Sequence, residues 1–415
     1  MTEPRDADTA GYVADTLAEL GISATVDHGP DAGQAPEALV RQVAQALGQA
    51  APADWQSLHA VFSMAGGAEI AQVVAATPEG NVAVPVESRL IEPIRTHRRV
   101  SVGESGPWLR LLFDCDRSGE LRVSFDYGET PPPPDQLLPG DAYLRDFQEY
   151  PRTDAPVWLL AHMGNEGQQM RSAADARRDV SSGLAPALVV DDEIPPLPLL
   201  WARIAVLAAV CRGSAAADGP RCDPAYAAHN GEGGGCVIAR LPGNRAVLSG
   251  GRIDSPLLSA AYKGELTWPD LYRGAPAWLH NLYLDPRAAA GLLSFCYWWD
   301  GAHWYRAEIP PEAAALAGTG PPWNVVDDIV RGIPGVWTTA STADLVGRVL
   351  LRVGVVLSEG NAEAPVRLVQ AAESARATEA HVMELFPDGV PDGFDVAEAL
   401  AQLDAAGVLR ASRAA

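Results

Sequence analysis

Lysine is almost missing from this chain. Lys263 is the only one, so arginine carries nearly all of the 31 basic charges, set against 53 acidic residues for a formal charge of -22. That balance excludes the broad class of proteins that grip a nucleic-acid backbone by neutralising phosphates, which needs clustered Lys and Arg. Long apolar runs are missing too. Without about 18 uninterrupted apolar residues there is no conventional membrane-spanning helix to expect. The opening MTEPRDADTAGYVADTL has neither the basic start nor the apolar stretch of a secretory signal, so a cytoplasmic protein is the expectation. Cysteine is scarce: Cys115, Cys211, Cys222, Cys236 and Cys296 are an odd number without CxxC spacing, which points to neither a disulfide framework nor a zinc site. No P-loop, dinucleotide fingerprint, GxSxG turn or EF-hand loop occurs, so neither a cofactor nor a catalytic set is expected.

What is present is apolar material for more than one core. With 415 residues, 47% of them hydrophobic, two or three domains are the natural organisation. The most legible stretch runs from Trp108 to Trp158. Trp108, Leu109, Leu111, Leu112 and Phe113 lead into Asp116, Arg117, Ser118 and Gly119. Leu121, Val123, Phe125 and Tyr127 then alternate with polar neighbours, a β-hairpin pattern. Pro131 to Pro134 forbid ladder hydrogen bonds and end it. Asp141 then caps a short helix with Tyr143, Leu144 and Phe147 inside and Arg145, Asp146 and Glu149 outside, stopped by Pro151. Upstream, Leu39, Val40, Val43 and Leu47 have helical spacing up to Pro52, and two strands are expected around Gly66 and Gly67.

Three of these pieces together resemble the YezG-like antitoxin family of small bacterial immunity proteins. They are the helix EALVRQVAQALGQAAPADWQSL (37–58), the hairpin end SFDY (124–127), and DAYLRDFQEYPR (141–152) ahead of PVWL. The likeness covers about residues 37–165. It implies a protein that neutralises a cognate toxin by binding it, with no catalytic residues to carry over. This chain is far longer than that pattern and adds the proline run and a C-terminal region.

The second half repeats the theme loosely, which allows a diverged duplication, although no extended identity supports one. EIPPLP (193–198) reads as a rigid junction, PLLWARIAVLAAVC (198–211) as a buried helix, and CVIARL and AVLSGG as strands. LLSFCYWW (292–299) and HWYRAEI (303–309) flank a second hairpin turn. From Ala343 onward the pattern is helical. The expected fold class is therefore α+β, antiparallel sheets flanked by helices in two domains, with an all-helical C-terminal segment. The expected boundaries are a helix-strand arm at 1–36, an α+β domain at 37–175, a second at 195–340 and helices at 341–415.

Candidate chemistry is thin. HNGEGGG (229–235) reads as a flexible surface loop or as an anion cradle, and Cys222, His229 and Cys236 lie near enough for a small-molecule or nucleophilic site. Asp114 and Asp116 share one face of a pleated strand, as do Arg122 and Asp126 on the next. The basic cluster Arg95, His97, Arg98 and Arg99 reads as an ion-paired strand or loop. The leading expectation is an acidic surface that occludes a cognate protein toxin, with Asp114, Asp116, Glu120, Asp126, Tyr127, Asp141, Asp146 and Glu149 as contacts. Exposed members of the aromatic hairpin, Trp299 and Trp304, would add anchors.

Overall fold

The computed structural model describes residues 23–26, 34–103, 105–118, 120–181, 183, 185–189, 193–216, 218–308, 312–313, 316, 324–358 and 360–410. Among them are thirteen α-helices and two sheets, an α+β architecture. The helix expected in the arm at 1–36 lies outside the described residues. The chain divides into two units, residues 1–164 and 165–415.

In the first unit, β1 (Ser23–Val26) and α1 (Gln34–Ala50) precede the strands β2 (Ser57–Ala65), β3 (Ala68–Thr77) and β4 (Gly80–Ala83). Helix α2 (Ser88–Val100) follows, then the hairpin β5 (Arg110–Asp116) and β6 (Glu120–Asp126). The sheet order is β1-β6-β5-β2-β3-β4, antiparallel throughout except that β1 runs parallel to β6. Strand 23–26 is thus part of the first sheet, not of a separate arm. The helix of the family likeness ends at Ala50, and Leu58 belongs to β2. Alternation decides the faces. Leu58, Ala60, Phe62 and Met64 of β2, with Leu111, Phe113, Leu121 and Val123 of the hairpin, meet Val40, Val43 and Leu47 of α1 and Leu90, Ile91 and Ile94 of α2. The basic cluster is therefore the last turn of a helix, hidden from pattern reading by Pro93 inside it, and its ion pairing is real: Arg95 reaches Glu69 (2.7 Å) and Glu92 (3.1 Å).

The opposite face of this sheet is covered at one end only. After the prolines, α3 (Gly140–Glu149) and α4 (Val157–Gly164) pack Leu138, Ala142, Tyr143, Trp158 and Leu159 against Ala65 and Leu109. Gly66 at the β2–β3 turn has φ +49°, and a Cβ there would sit 2.1 Å from the Ala142 carbonyl oxygen, so the turn admits α3 only as glycine.

The second unit holds a fully antiparallel sheet in the order β7-β13-β12-β11-β10-β9-β8. Its strands are β7 (Ala187–Leu188), β8 (Arg221–Asp223), β9 (Tyr226–Gly231), β10 (Gly234–Leu241), β11 (Arg245–Arg252), β12 (Phe295–Trp299) and β13 (Trp304–Arg306). Helix α5 (Ala173–Val180) precedes the sheet, and α6 (Leu197–Gly213) is buried almost all round. Helices α7 (Pro256–Tyr262) and α8 (Arg287–Ala290) lie between β11 and β12 in sequence. The C-terminal helices are α9 (Val325–Gly332), α10 (Thr339–Arg352), α11 (Ala364–Glu373), α12 (Glu379–Met383) and α13 (Val396–Ala405). One continuous core joins α6 and α9 to α13 with Ile238, Leu248, Phe295, Tyr297 and Trp299, so the segment 341–415 is not a body of its own. A second cluster on the other face gathers Val247, Cys296 and Trp298 with Tyr272, Leu279 and Leu293.

The expected boundary near 175–195 falls inside this unit. Arg171, 2% exposed, donates to the carbonyls of Leu279 (2.6 Å), Pro276 (3.1 Å) and Ala275 (3.2 Å) and pairs with Asp179 (3.1 Å). A buried guanidinium with that many acceptors ties residues 171–179 to the segment before β12. Their weak apolar pattern conceals polar anchoring.

Candidate functional site

The partly open face of the first sheet is built by register. Asp114 lies between His59 on β2 and Arg122 on β6. The His59 ring and the Asp114 carboxylate meet at 2.7 Å, with side chains 50% and 58% exposed. Arg122 and Ser124, also exposed, continue the face across β6. Farther along, Val61 and Ser63 are buried, because the segment after the prolines lies over them: Gln72 donates to the Asp135 carbonyl (3.0 Å), and Arg110 to Gln136 (2.7 Å). The exposed stripe is therefore His59, Asp114, Arg122 and Ser124, mixed in charge.

Several carboxylates expected on an acidic surface serve the fold instead. Asp126 pairs with Arg110 through two donors, and its other oxygen accepts the Gly128 N–H at 2.7 Å. Asp146 is 2% exposed, not on the outer side of its helix: Oδ1 accepts from Arg98 (2.6 Å) and from the Gly66 N–H (3.2 Å), and Arg152 lies 3.7 Å from Oδ2. Both are removed from any contact surface, since a partner would have to displace a guanidinium to reach them. Asp116 closes the hairpin turn, accepting from the N–H groups of Ser118 (2.9 Å) and Glu120 (3.2 Å), as a turn Asp does. Asp141 pairs with Arg145 at 2.6 Å, which holds its carboxyl below the usual range. Glu120 stands 3.5 Å from Arg122, and Glu149 is exposed on α3. Tyr127 is half-buried, and that burial pushes its hydroxyl pKa up. Asp114, Asp116, Glu120, Asp141 and Glu149 thus remain at the surface, but scattered among arginines. His59 was missed in the sequence, although the alternation Ser57, His59 against Leu58, Ala60 carries the signal.

The second unit corrects the other candidates. HNGEGGG is a hairpin, with Gly231 ending β9 and Gly234 starting β10, not a flexible loop. Its glycines answer to packing: a Cβ on Gly235 would fall 2.5 Å from the Arg287 guanidinium and from the His229 carbonyl oxygen. His229 and Cys236 are direct cross-strand partners. Burial drives the Cys236 thiol up to about 12 and, with Arg287 adding to it, the His229 imidazole down to about 4. A protonated thiol beside a neutral imidazole is the opposite of an activated Cys/His pair. Cys222 is likewise buried and pushed up to about 12, its N–H held by Gln402 at 2.8 Å. No trio of His, Cys, Asp or Glu among the described residues is placed to hold a metal. The cavities at Phe295, Leu351 and Trp298 are lined by other residues than these.

Trp299 and Trp304 are 5% and 3% exposed, packed edge to face at 5.4 Å, with the Trp304 indole N–H on the Pro195 carbonyl (2.9 Å). Both are core residues and cannot anchor a partner, because helices cover this face of the sheet while the other cluster covers Trp298. Comparison with protein-family models finds no match, and comparison with curated proteins finds none.

Proposed function

We propose that this chain is a binding protein of the immunity or antitoxin kind, which neutralises a cognate toxin by occluding it through the outer face of the first unit. One observation carries the reading: the sheet face is sealed by α3 and the proline segment at one end and left open across His59, Asp114, Arg122 and Ser124 at the other. Side chains standing on a rigid sheet present a preorganised surface, which lowers the ordering cost of association. The motif likeness over residues 37–165 points to the same unit, and the net charge of -22 suits a basic partner such as a toxin whose cleft binds nucleic acid or a nucleotide. Carboxylates on this face contribute encounter rate and register more than affinity.

Co-expression with toxins encoded beside the gene tests it. Growth rescue by the intact chain, lost when His59, Asp114 and Arg122 are replaced together by alanine in a variant that still folds, is the expected result. No rescue and no binding by any neighbouring toxin overturns the proposal.

A further inference from the structure

Helix α10 has a core side and a bare side. Val346, Val349 and Leu350 are buried. Asp344, Arg348 and Leu351 are exposed, at spacings of four and three that keep them on one stripe of the helix. Beside them Ala340, Ala343 and Gly347 form the small-residue side of an open groove of about 530 Å³, whose far wall is Leu357 with Pro365 and Val366 of α11. Leu351, at the C-terminal end of the stripe, is 60% exposed, and Val356 just beyond it is 71% exposed. Asp344 precedes Arg348 by four residues, the spacing at which Asp141 and Arg145 join at 2.6 Å on α3. Neither Asp344 nor Arg348, however, makes an ion pair or a side-chain hydrogen bond among the described residues.

We propose that this stripe is the contact surface of a homodimer, in which α10 packs antiparallel to α10 of a second copy about a twofold axis at the height of Val346 along the helix. An isologous contact needs one surface that carries both halves of every interaction. In an antiparallel pair, positions equally far from the axis on its two sides stand opposite each other. Position 344 of each copy then faces position 348 of the other, so two Asp344–Arg348 pairs form across the axis. Position 351 faces position 341, which brings the exposed Leu351 to the Ala340 end of the other copy's groove. Charge and shape therefore complement themselves under a single operation. A partner of unrelated sequence would call for one sign of charge or for a hollow alone. Both signs, with an aliphatic knob and a small-residue hollow, on one helix select a second copy. Two chains of charge -22 repel each other at long range, so salt that screens this repulsion aids the encounter. The proposal concerns the second unit alone and does not rest on toxin binding.

Analytical ultracentrifugation of the full chain at physiological salt, over a dilution series, tests it. A monomer–dimer equilibrium in the micromolar range is expected. Asp344→Arg and Arg348→Asp should each weaken it about tenfold or more, because like charges then face each other at two symmetry-related places. Mixing these two variants should restore association, since every position 344 again meets an opposite charge at 348. Making both exchanges in one chain should restore it too. Leu351→Ser should weaken the dimer without being rescued by either mixture. All three side chains are exposed, and thermal melts confirm that each variant is folded. A monomer at every concentration, a dimer that none of the variants weakens, or reversed variants that fail to recombine overturns the assignment.

Discussion

Replacing Asp146 by alanine removes a carboxylate from between two guanidiniums that water hardly reaches. The Arg98 and Arg152 side chains are 12% and 6% exposed, so neither can be rehydrated without moving α3 or the end of α2. Breaking a buried pair from one side costs about 3–5 kcal/mol, because the remaining charge is left uncompensated. The Gly66 N–H loses its acceptor as well, at the turn where α3 approaches most closely. With a urea m-value of about 2 kcal/mol/M, the midpoint for the first unit should fall by roughly 1.5–2.5 M. The internal control is Asp141→Ala on the same helix. Its pair with Arg145 is exposed, with side chains 53% and 69% accessible, and an exposed pair contributes about 0–1 kcal/mol. Urea denaturation of both variants, with hydrogen exchange at the Gly66 amide to attribute the loss to the first unit, makes the comparison. If Asp146→Ala loses under about 1 kcal/mol, or Asp141→Ala loses as much as it does, the assignment of Asp146 to the interior framework is refuted. The double variant Asp146→Leu, Arg98→Met should recover only part of the loss, since Arg152 stays buried without its carboxylate.

Acid stability should carry a signature of His229. Its folded pKa of about 4 lies below the unfolded value near 6.5, so between those values the unfolded chain binds the extra proton and stability falls as pH is lowered. His229→Gln should remove a dependence on the order of 3 kcal/mol across that window, read from urea midpoints at successive pH values; an unchanged slope would count against burial as its cause. Thiol titration with a chromogenic disulfide should find Cys115 alone reacting in the folded protein, because the buried Cys211, Cys222, Cys236 and Cys296 are each pushed up to about 12. Gly251→Ala would place a Cβ 2.0 Å from the Leu292 carbonyl oxygen, a backbone atom that cannot yield. It should lower stability by about 1–3 kcal/mol or more. Gly48→Ala, in open space on α1, should raise stability by about 0.5–1 kcal/mol, and thermal melts distinguish the two signs.

Residues whose role follows from local pattern were legible in the sequence. The hairpin at 110–126 alternates because one face of its strands is covered by helices, while the turn at Gly66 and Gly67 was legible from its paired glycines although β2 is buried on both faces before it. The aromatic hairpin was legible as a hairpin but not in its exposure. Both faces of β12 are covered, so Trp298 and Trp299 are buried together and alternation carries no sidedness there. Helix α2 was concealed by a proline in its second turn. For the carboxylates the sequence reports charge but not partner. Asp141 and Asp146 sit on one short helix, and what separates an exposed pair from a buried one is an arginine 48 positions away on α2. Such long-range pairing has no local trace.

Strand β1 changes what the first sheet offers to other chains. Residues 23–26 occupy the backbone groups that β6 would otherwise turn outward, and at the far side β4 is only four exposed residues long. An unpaired strand is a template for another chain. With β1 in place both margins of the sheet, β1 and β4, are only four residues long. A chain beginning at residue 34 would add Glu120 to Val123 to the unpaired edge of β6, which would then run its full seven residues. The four-residue ladder of β1 thus acts as a guard against self-association, and shortening the protein from its N-terminal side should convert a discrete particle into one that recruits copies of itself strand by strand.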